Sequence, residues 1–115
     1  MKGVQKMKAL MKTKRGYGNV EICEIPEPEC GSKEVKVEIK FTGICGTDLH
    51  IYHDLFLATA PLVIGHEFSG VVVETGSEVS EVKKGDRVSV LPSNYYTCGK
   101  CIHCQNGFYV LCPTR

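Results

Sequence analysis

The 115 residues predict a mainly β domain. Three observations support this prediction: short apolar and β-branched runs recur along the chain, glycine or proline separates them, and helical periodicity is scarce. Many short strands joined by such turns are typical of a β-barrel or a β-sandwich. The length leaves room for one domain.

Five segments predict strands. They span residues 7–12, 19–25, 34–42, 68–75 and 87–91. The third alternates apolar and polar side chains, with Val35, Val37, Ile39 and Phe41 on one face and Lys36, Glu38, Lys40 and Thr42 on the other. This period of two predicts a half-buried antiparallel strand. Gly70 in the fourth predicts a bulge or a close backbone approach.

Helix is predicted in only two short places. Residues 47–53 could form one or two turns, with Thr47 and Asp48 suited to the N-terminal end because their side chains accept hydrogen bonds from free backbone N–H groups. Residues 101–107 could hold another short turn. The predicted fold class is therefore β with a few helical turns.

The charge balance excludes several classes of function. Fourteen basic and thirteen acidic residues give a net charge of +1, without the basic excess of a nucleic-acid or membrane-surface binder. Lysines interrupt residues 1–10, and Thr59 and Pro61 interrupt the most apolar stretch, 55–64. Neither is long enough for a signal peptide or a membrane span. We therefore expect a cytoplasmic protein with no nucleic-acid or membrane partner.

Seven cysteines stand out, and structural disulfides are rare in the cytoplasm. Four of them lie within fifteen residues, with two residues between successive members and then a gap of seven: Cys98, Cys101, Cys104 and Cys112. This spacing favours a closed tetrahedral zinc site of structural type. An iron–sulfur cluster, whose usual run ends with a gap of three, and unliganded or disulfide-paired thiols are the alternatives. Cys23 and Cys30 are expected to be a packed residue and a loop thiol.

A second group of metal-binding residue types comes from two segments. Cys45 lies in a GICGTDLH motif at residues 43–50, and His66 and Glu67 follow about twenty residues later. A cysteine and a histidine from separate segments suit a catalytic zinc with an open position, although lone residues of these types more often pack in a core. His66 and Glu67 would face opposite sides of a regular strand, so joint ligation requires an irregular backbone, which Gly65 favours.

Taken together, four motifs resemble the N-terminal catalytic domain of zinc-dependent medium-chain alcohol dehydrogenases. They are GICGTDLH at 43–50, GHEFSGVV at 65–72, GDRV at 85–88 and the four-cysteine cluster, in that order. The similarity is strongest to the sorbitol and threonine dehydrogenase branch. It implies a GroES-like β-barrel with a four-cysteine zinc lobe over residues 7–115, preceded by an N-terminal extension at 1–6.

The resemblance also implies two metal sites. Cys45 and His66 would bind the catalytic zinc, with Glu67 as a third ligand or a nearby carboxylate. Asp48 would accept a hydrogen bond from His66 and fix its tautomer. The structural zinc would be held by Cys98, Cys101, Cys104 and Cys112.

A proton relay is implied as well. Thr47 would contact the alcohol oxygen and begin the relay, and His50 would end it near the ribose of the cofactor, so both would be catalytic and cofactor-binding. Zinc would supply Lewis acidity, and NAD(P) would accept the hydride. Imidazole titrates near neutrality, which suits His50 to passing a proton outward. His53 and His103 are expected to be surface residues.

The implied function is the zinc-binding part of an NAD(P)-dependent dehydrogenase that oxidises a secondary alcohol such as sorbitol, or threonine. The parent protein would be a homo-oligomer acting on a small-molecule alcohol. No G-x-G-x-x-G fingerprint of a dinucleotide-binding domain occurs in the 115 residues. We therefore expect a truncated chain that lacks this domain and the last barrel strands and does not oxidise alcohols by itself.

Two other functions remain open. A non-catalytic zinc-binding interaction module would use the four-cysteine lobe alone, although no basic cluster with aromatic residues surrounds it. A co-chaperonin role would rest on fold alone, which is a poor basis for function. The residues of the substrate cleft are also open. The resemblance implies that the cleft could be lined by Ile51, Tyr52, Phe56, Asn94 and Tyr95, although core packing is the favoured alternative for Ile51 and Phe56.

Overall fold

A computed structural model describes residues 5–90 and 97–114. Within these ranges the strands are β1 (Lys6–Lys12), β2 (Val20–Pro26), β3 (Val35–Thr42), β4 (Leu62–Val63), β5 (Phe68–Thr75) and β6 (Arg87–Ser89). The helices are α1 (Gly46–Tyr52), α2 (Ile102–Gln105) and a 3-10 turn at Tyr109–Leu111. The mainly β prediction is confirmed. Leu91, Asn94 and Tyr95 lie outside the described residues.

The strands form two antiparallel sheets. Their orders are β2-β1-β4 and β3-β5-β6. Strands occur at all five predicted places, with small shifts at their ends. β4 was not predicted, because its two residues are too few to show a period and owe their pairing to Met11 and Lys12 of β1.

The predicted burial of β3 is only partly correct. Val35 and Val37 are half-buried, but Ile39 is 51% exposed and Phe41 is 77% exposed. Ile39 pairs with Gly70 and Phe41 with Ser69, so β3 carries one extra residue between them. Such a bulge reverses the face to which the following side chains point. The bulge therefore bears on Phe41, whereas Ile39 precedes it and lines an open groove together with Val35 and Val37.

Gly70 fulfils both parts of its prediction. It lies beside this bulge, and a Cβ atom at this position would collide with the carbonyl group of Glu38 and lie 2.8 Å from Cγ1 of Val37. The two strands can approach this closely only because residue 70 has no side chain.

The packed core is small. Among the described residues the buried apolar side chains are Ala9, Ile51, Val72, Cys104 and Cys112. Ile51 thus packs as predicted, whereas Phe56 is 49% exposed and does not. Phe56 lies after α1 in a segment without regular structure. No helix in the described part of the chain is long and apolar enough to cross a membrane.

Candidate metal centres

The structure brings Cys45, His66 and Glu67 together, and we call this group the first centre. One ligand atom from each residue lies within 4.8 Å of the other two. Cys45 is the residue before α1, and the other two lie between β4 and β5. Cys45 and His66 are half-buried and Glu67 is exposed. Thiolate, imidazole and carboxylate are all zinc ligands, so this donor set fits a zinc ion.

Asp48 fixes the start of α1. Cys45 has extended backbone angles, and its N–H donates to Oδ2 of Asp48 at 2.9 Å. This bond satisfies a helix N-terminal N–H group that has no partner within the helix. Asp48 as a whole is 7% exposed. Asp48 therefore holds the backbone that presents the Cys45 thiol.

The backbone around His66 and Glu67 is irregular, as joint ligation requires. Residues 64–67 lie outside the strands, and Gly65 has a φ of +98°. The carbonyl of Glu67 accepts hydrogen bonds from the N–H of Gly43 at 2.7 Å and from the hydroxyl of Thr42 at 3.2 Å. These bonds tie the segment to the end of β3.

Contacts within the first centre shift the pKa values of Cys45 and His66 in opposite directions. N–H of Thr47 and the side chain of His66 lower the pKa of the Cys45 thiol. The Cys45 side chain, followed by the charge of Asp48, raises the pKa of His66. Hydrogen bonds to the thiolate and the imidazolium favour the charged form of each group. An ionised thiol is the form of cysteine that binds metal.

Asp48 also faces His66. Its Oδ1 lies 3.7 Å from Nδ1 of His66, beyond hydrogen-bond distance, and is buried without a hydrogen-bond partner. A buried oxygen without a donor is costly, so a small shift of the ring toward it would be favourable. The predicted hydrogen bond between these groups remains a prediction.

The two residues of the predicted relay lie on α1. The hydroxyl of Thr47 accepts a hydrogen bond from the Cys45 thiol at 3.7 Å. His50 lies in the last turn and is exposed. Thr47 is therefore beside the first centre, whereas His50 is in contact with solvent. The two residues lie on the same side of the helix because they are three positions apart. Their roles as relay residues remain predictions.

The four clustered cysteines form the second centre. One sulfur from each of Cys98, Cys101, Cys104 and Cys112 lies within 4.8 Å of the others. Three backbone N–H groups point at sulfurs: that of Cys98 at Cys112, that of Cys101 at Cys98 and that of Cys104 at Cys101, at 3.3–3.5 Å. These donors stabilise negative charge on the thiolates.

The geometry of the second centre fits a tetrahedral ion. Sγ of Cys98 and Sγ of Cys104 are 4.0 Å apart, close to the spacing of about 3.8 Å between sulfurs bound at 2.3 Å to one zinc. The hydroxyl and N–H of Thr114 and the N–H of Cys98 lower the pKa of Cys112 to about 6, whereas burial raises that of Cys104 to about 12. All seven cysteines are free thiols.

Three features of the first centre's surroundings were missed by the sequence analysis. A Cβ atom at Gly43 would lie 2.8 Å from Oε2 of Glu67, so this glycine leaves room for the carboxylate. An apolar cavity of about 270 Å³ opens beside Asp48, lined by residues that include Leu10, Leu49 and Ile64. Lys12 is buried. None of these has a local sequence pattern, since each depends on segments that are distant in the chain.

Comparison with known proteins identifies close relatives. The family model of the alcohol dehydrogenase GroES-like domain matches residues 31–115. Sorbitol dehydrogenase of Halalkalibacterium halodurans is 46% identical over 109 residues, covering 95% of this chain and 32% of the relative. L-threonine 3-dehydrogenase of Streptomyces avermitilis is 49% identical over 110 residues, covering 92% and 31%.

A solved structure supports the same fold. A protein described as a zinc-binding dehydrogenase of Sinorhizobium meliloti, bound to NADP, is 37% identical with a TM-score of 0.77. The match covers 95% of this chain and 31% of that protein. The chain thus spans about a third of the length of the relatives that it matches. The predicted GroES-like fold class and the resemblance to the sorbitol and threonine dehydrogenase branch are confirmed.

Proposed function

The chain belongs to the alcohol dehydrogenase GroES-like domain family, and from this premise we propose that it is the zinc-binding part of an NAD(P)-dependent alcohol or polyol dehydrogenase. The observation that carries the proposal is the first centre, in which two segments that are distant in the sequence bring three side chains of zinc-ligand type together. A catalytic zinc site has three protein ligands and an open position. Glu67 is exposed, so we propose that the open position lies on the solvent side of this centre.

The residues of the first centre have distinct tasks in this proposal. Cys45, His66 and Glu67 would hold the zinc, which supplies Lewis acidity while NAD(P) accepts the hydride. The hydroxyl of Thr47 would accept the proton of the substrate alcohol, because it lies beside Cys45. His50, exposed one helical turn later, would pass that proton to solvent.

The second centre has a structural task. Its four thiols leave no ligand position open, and a closed four-cysteine site contributes to folding rather than to chemistry. Its zinc would join α2 and the 3-10 turn, two elements too short to be stable alone. We propose that it holds residues 98–112 in a fixed loop.

Substrate and assembly are proposed at the level of class. The two relatives are named for different substrates, sorbitol and L-threonine, at similar identity to this chain, and we propose a secondary alcohol as the substrate class. The chain spans about a third of their length. We therefore propose that a dinucleotide-binding domain outside these 115 residues contributes NAD(P), within a cytoplasmic homo-oligomer.

Zinc stoichiometry tests this function. Two zinc ions per chain are expected by elemental analysis, and Cys45→Ser should bind one, because it removes a ligand of the first centre alone. Cys23→Ser is the matched control, since Cys23 is half-buried and lies outside both groups, and it should retain two. Two ions in Cys45→Ser would refute the first centre. One ion in the unsubstituted chain would favour the zinc-binding interaction module instead.

A further inference from the structure

A buried lysine lies at the end of β1. Lys12 is 2% exposed, and among the described residues no carboxylate pairs with it. Its ammonium donates instead to three backbone carbonyls, those of Gly16, Gly18 at 2.7 Å and Tyr52 at 3.4 Å. A lysine ammonium has three N–H donors, so each donor has one acceptor.

The backbone of the loop after β1 curls around this ammonium. Gly16, Gly18 and Asn19 have φ values of +101°, +72° and +53°, a region that few side chains tolerate and that glycine adopts readily. The side-chain amide of Asn19 donates to the carbonyl of Arg15 at 3.1 Å and holds the turn. Two carbonyls of one loop thereby converge on a single cation. A buried charge is tolerated only with such partners.

The third carbonyl belongs to α1. The oxygen of Tyr52, the last residue of that helix, accepts from Lys12 and also from the N–H of Gly18 at 2.8 Å. The ring of Tyr17 packs edge-on against that of Tyr52, with centroids 5.1 Å apart. A cation at the C-terminal end of a helix also stabilises its dipole. Lys12 therefore joins β1, the loop at 13–19 and the end of α1.

A second contact extends the same junction beyond α1. Nε of Arg15 lies 3.0 Å from Oδ1 of Asp54, and Nη1 donates to the carbonyl of Ala58 at 3.2 Å. These bonds are half-exposed and individually weak. The buried ammonium and the hydrogen bond from the N–H of Gly18 are thus the buried polar links to the end of the helix.

We propose that Lys12 is a positioning residue for the first centre: its caged ammonium fixes the C-terminal end of α1 and so sets where Cys45 and Thr47 stand relative to His66. The helix has seven residues, too few to be stable without tertiary contacts. Its N-terminal end carries the zinc ligand, and its C-terminal end is held by Lys12. This inference rests on the proposed function of the first centre.

Cobalt titration of the 115-residue chain tests the proposal, because Co²⁺ replaces zinc and each centre has its own absorption. Lys12→Met removes the ammonium and keeps the apolar stem. It should weaken binding at the first centre about tenfold to a hundredfold, the range seen when groups that orient metal ligands are removed. Binding at the second centre should be unchanged. Lys8→Met, an exposed lysine of the same strand, should change neither.

Chemical rescue separates the cage from general packing. In Lys12→Ala, propylammonium replaces the missing atoms and should restore cobalt binding at the first centre. Tetramethylammonium carries the same charge without N–H donors and should not. Equal losses at both centres, unchanged binding in Lys12→Met, or rescue by both cations would each overturn the proposal. If Lys12→Met does not fold, Lys12→Ala is refolded in the presence of each cation. Refolding with propylammonium alone supports the proposal, and refolding with both cations or with neither overturns it.

Hydrogen exchange tests Lys12 even if the first centre binds no metal. The N–H groups of His53 and Leu55 donate to the carbonyls of Leu49 and His50 at 2.9 Å. In Lys12→Met, which lacks the buried ammonium, these two amides should exchange at least tenfold faster relative to the amides between β3 and β5. No cobalt at the first centre of the unsubstituted chain would reject the proposed function. Unchanged relative exchange would reject the proposal that Lys12 fixes the C-terminal end of α1.

Discussion

At the residue scale, Asp48 connects the two segments of the first centre. One carboxylate oxygen accepts from the N–H of Cys45, and the other lies 3.7 Å from Nδ1 of His66. The Cys45 side chain raises the pKa of His66, and the negative charge of Asp48 adds to this effect. A proton on that imidazole competes with a metal ion, since zinc binds the neutral ring. The Cys45 side chain and this carboxylate therefore raise the pH at which a proton on His66 begins to compete with a metal ion.

The pH dependence of metal binding at the first centre follows in sign. Because the pKa of His66 is raised, cobalt affinity should fall as the pH drops through a value above about 6.5, the usual pKa of histidine. Asp48→Asn removes one cause of the rise, so the midpoint should move to lower pH. Cobalt titrations between about pH 5.5 and 8.5 measure it. Asp54→Asn, at the far end of α1, should leave the midpoint in place, and an unmoved midpoint in Asp48→Asn would contradict this account.

At the scale of elements, the junction of β3 and β5 depends on a missing side chain. Next to the extra residue of β3, the backbone of Glu38 lies against Gly70. β3 leads into Gly43 and β5 begins after Glu67, so this pairing also carries the segments of the first centre. Strain at Gly70 would therefore reach the metal ligands through the sheet.

Gly70→Ala should destabilise the chain. The new Cβ would meet the backbone of Glu38, which cannot move without breaking the ladder, so we expect a loss of about 1 to 3 kcal/mol in the free energy of unfolding. Urea unfolding of the zinc-loaded chain measures this. The control is Gly46→Ala, where a Cβ would meet nothing within 4 Å and alanine favours the helix by up to about 1 kcal/mol. Equal midpoints for the two variants would be evidence against the close approach.

At the scale of the whole molecule, local patterns predicted well and long-range ones did not. The strands at 7–12 and 68–75 were predicted from short apolar and β-branched runs. The second centre was predicted from the spacing of its four cysteines, which lie within fifteen residues of one another. The exposure of Phe41 depends on a bulge in β3, and the burial of Lys12 depends on the end of α1, forty residues away. Neither partner can be read from the neighbouring sequence.

The first centre lies between these cases. Cys45, His66 and Glu67 were indicated first by their residue types and then, more specifically, by the resemblance of their motifs to a known family. The three side chains lie close together because the start of α1 lies beside the segment after β4. This packing depends on tertiary structure and cannot be predicted from the neighbouring sequence. The irregular backbone at Gly65 was the one part of that geometry that followed from physical reasoning about the residues themselves.

The folded chain also presents a large apolar surface. Its radius of gyration is 16.0 Å, against about 13 Å for a compact domain of this length. A cavity of about 480 Å³ lies along the second sheet, and its lining includes Ile39, Phe68, Val82, Val88 and Val90. Apolar surface of this kind on a folded protein marks a binding face or a tendency to associate.

Dye binding should detect this cavity in the native state. The zinc-loaded chain should increase the fluorescence of anilinonaphthalene sulfonate while it still unfolds cooperatively in urea, because the apolar residues are exposed in the folded form. Ile39→Thr keeps a β-branched side chain but adds a hydroxyl to the lining, so it should reduce the fluorescence with little change in the unfolding midpoint. Ile22→Thr is the matched control, since Ile22 is 73% exposed on the other sheet. Equal reductions in the two variants would mean that the dye does not bind along the second sheet.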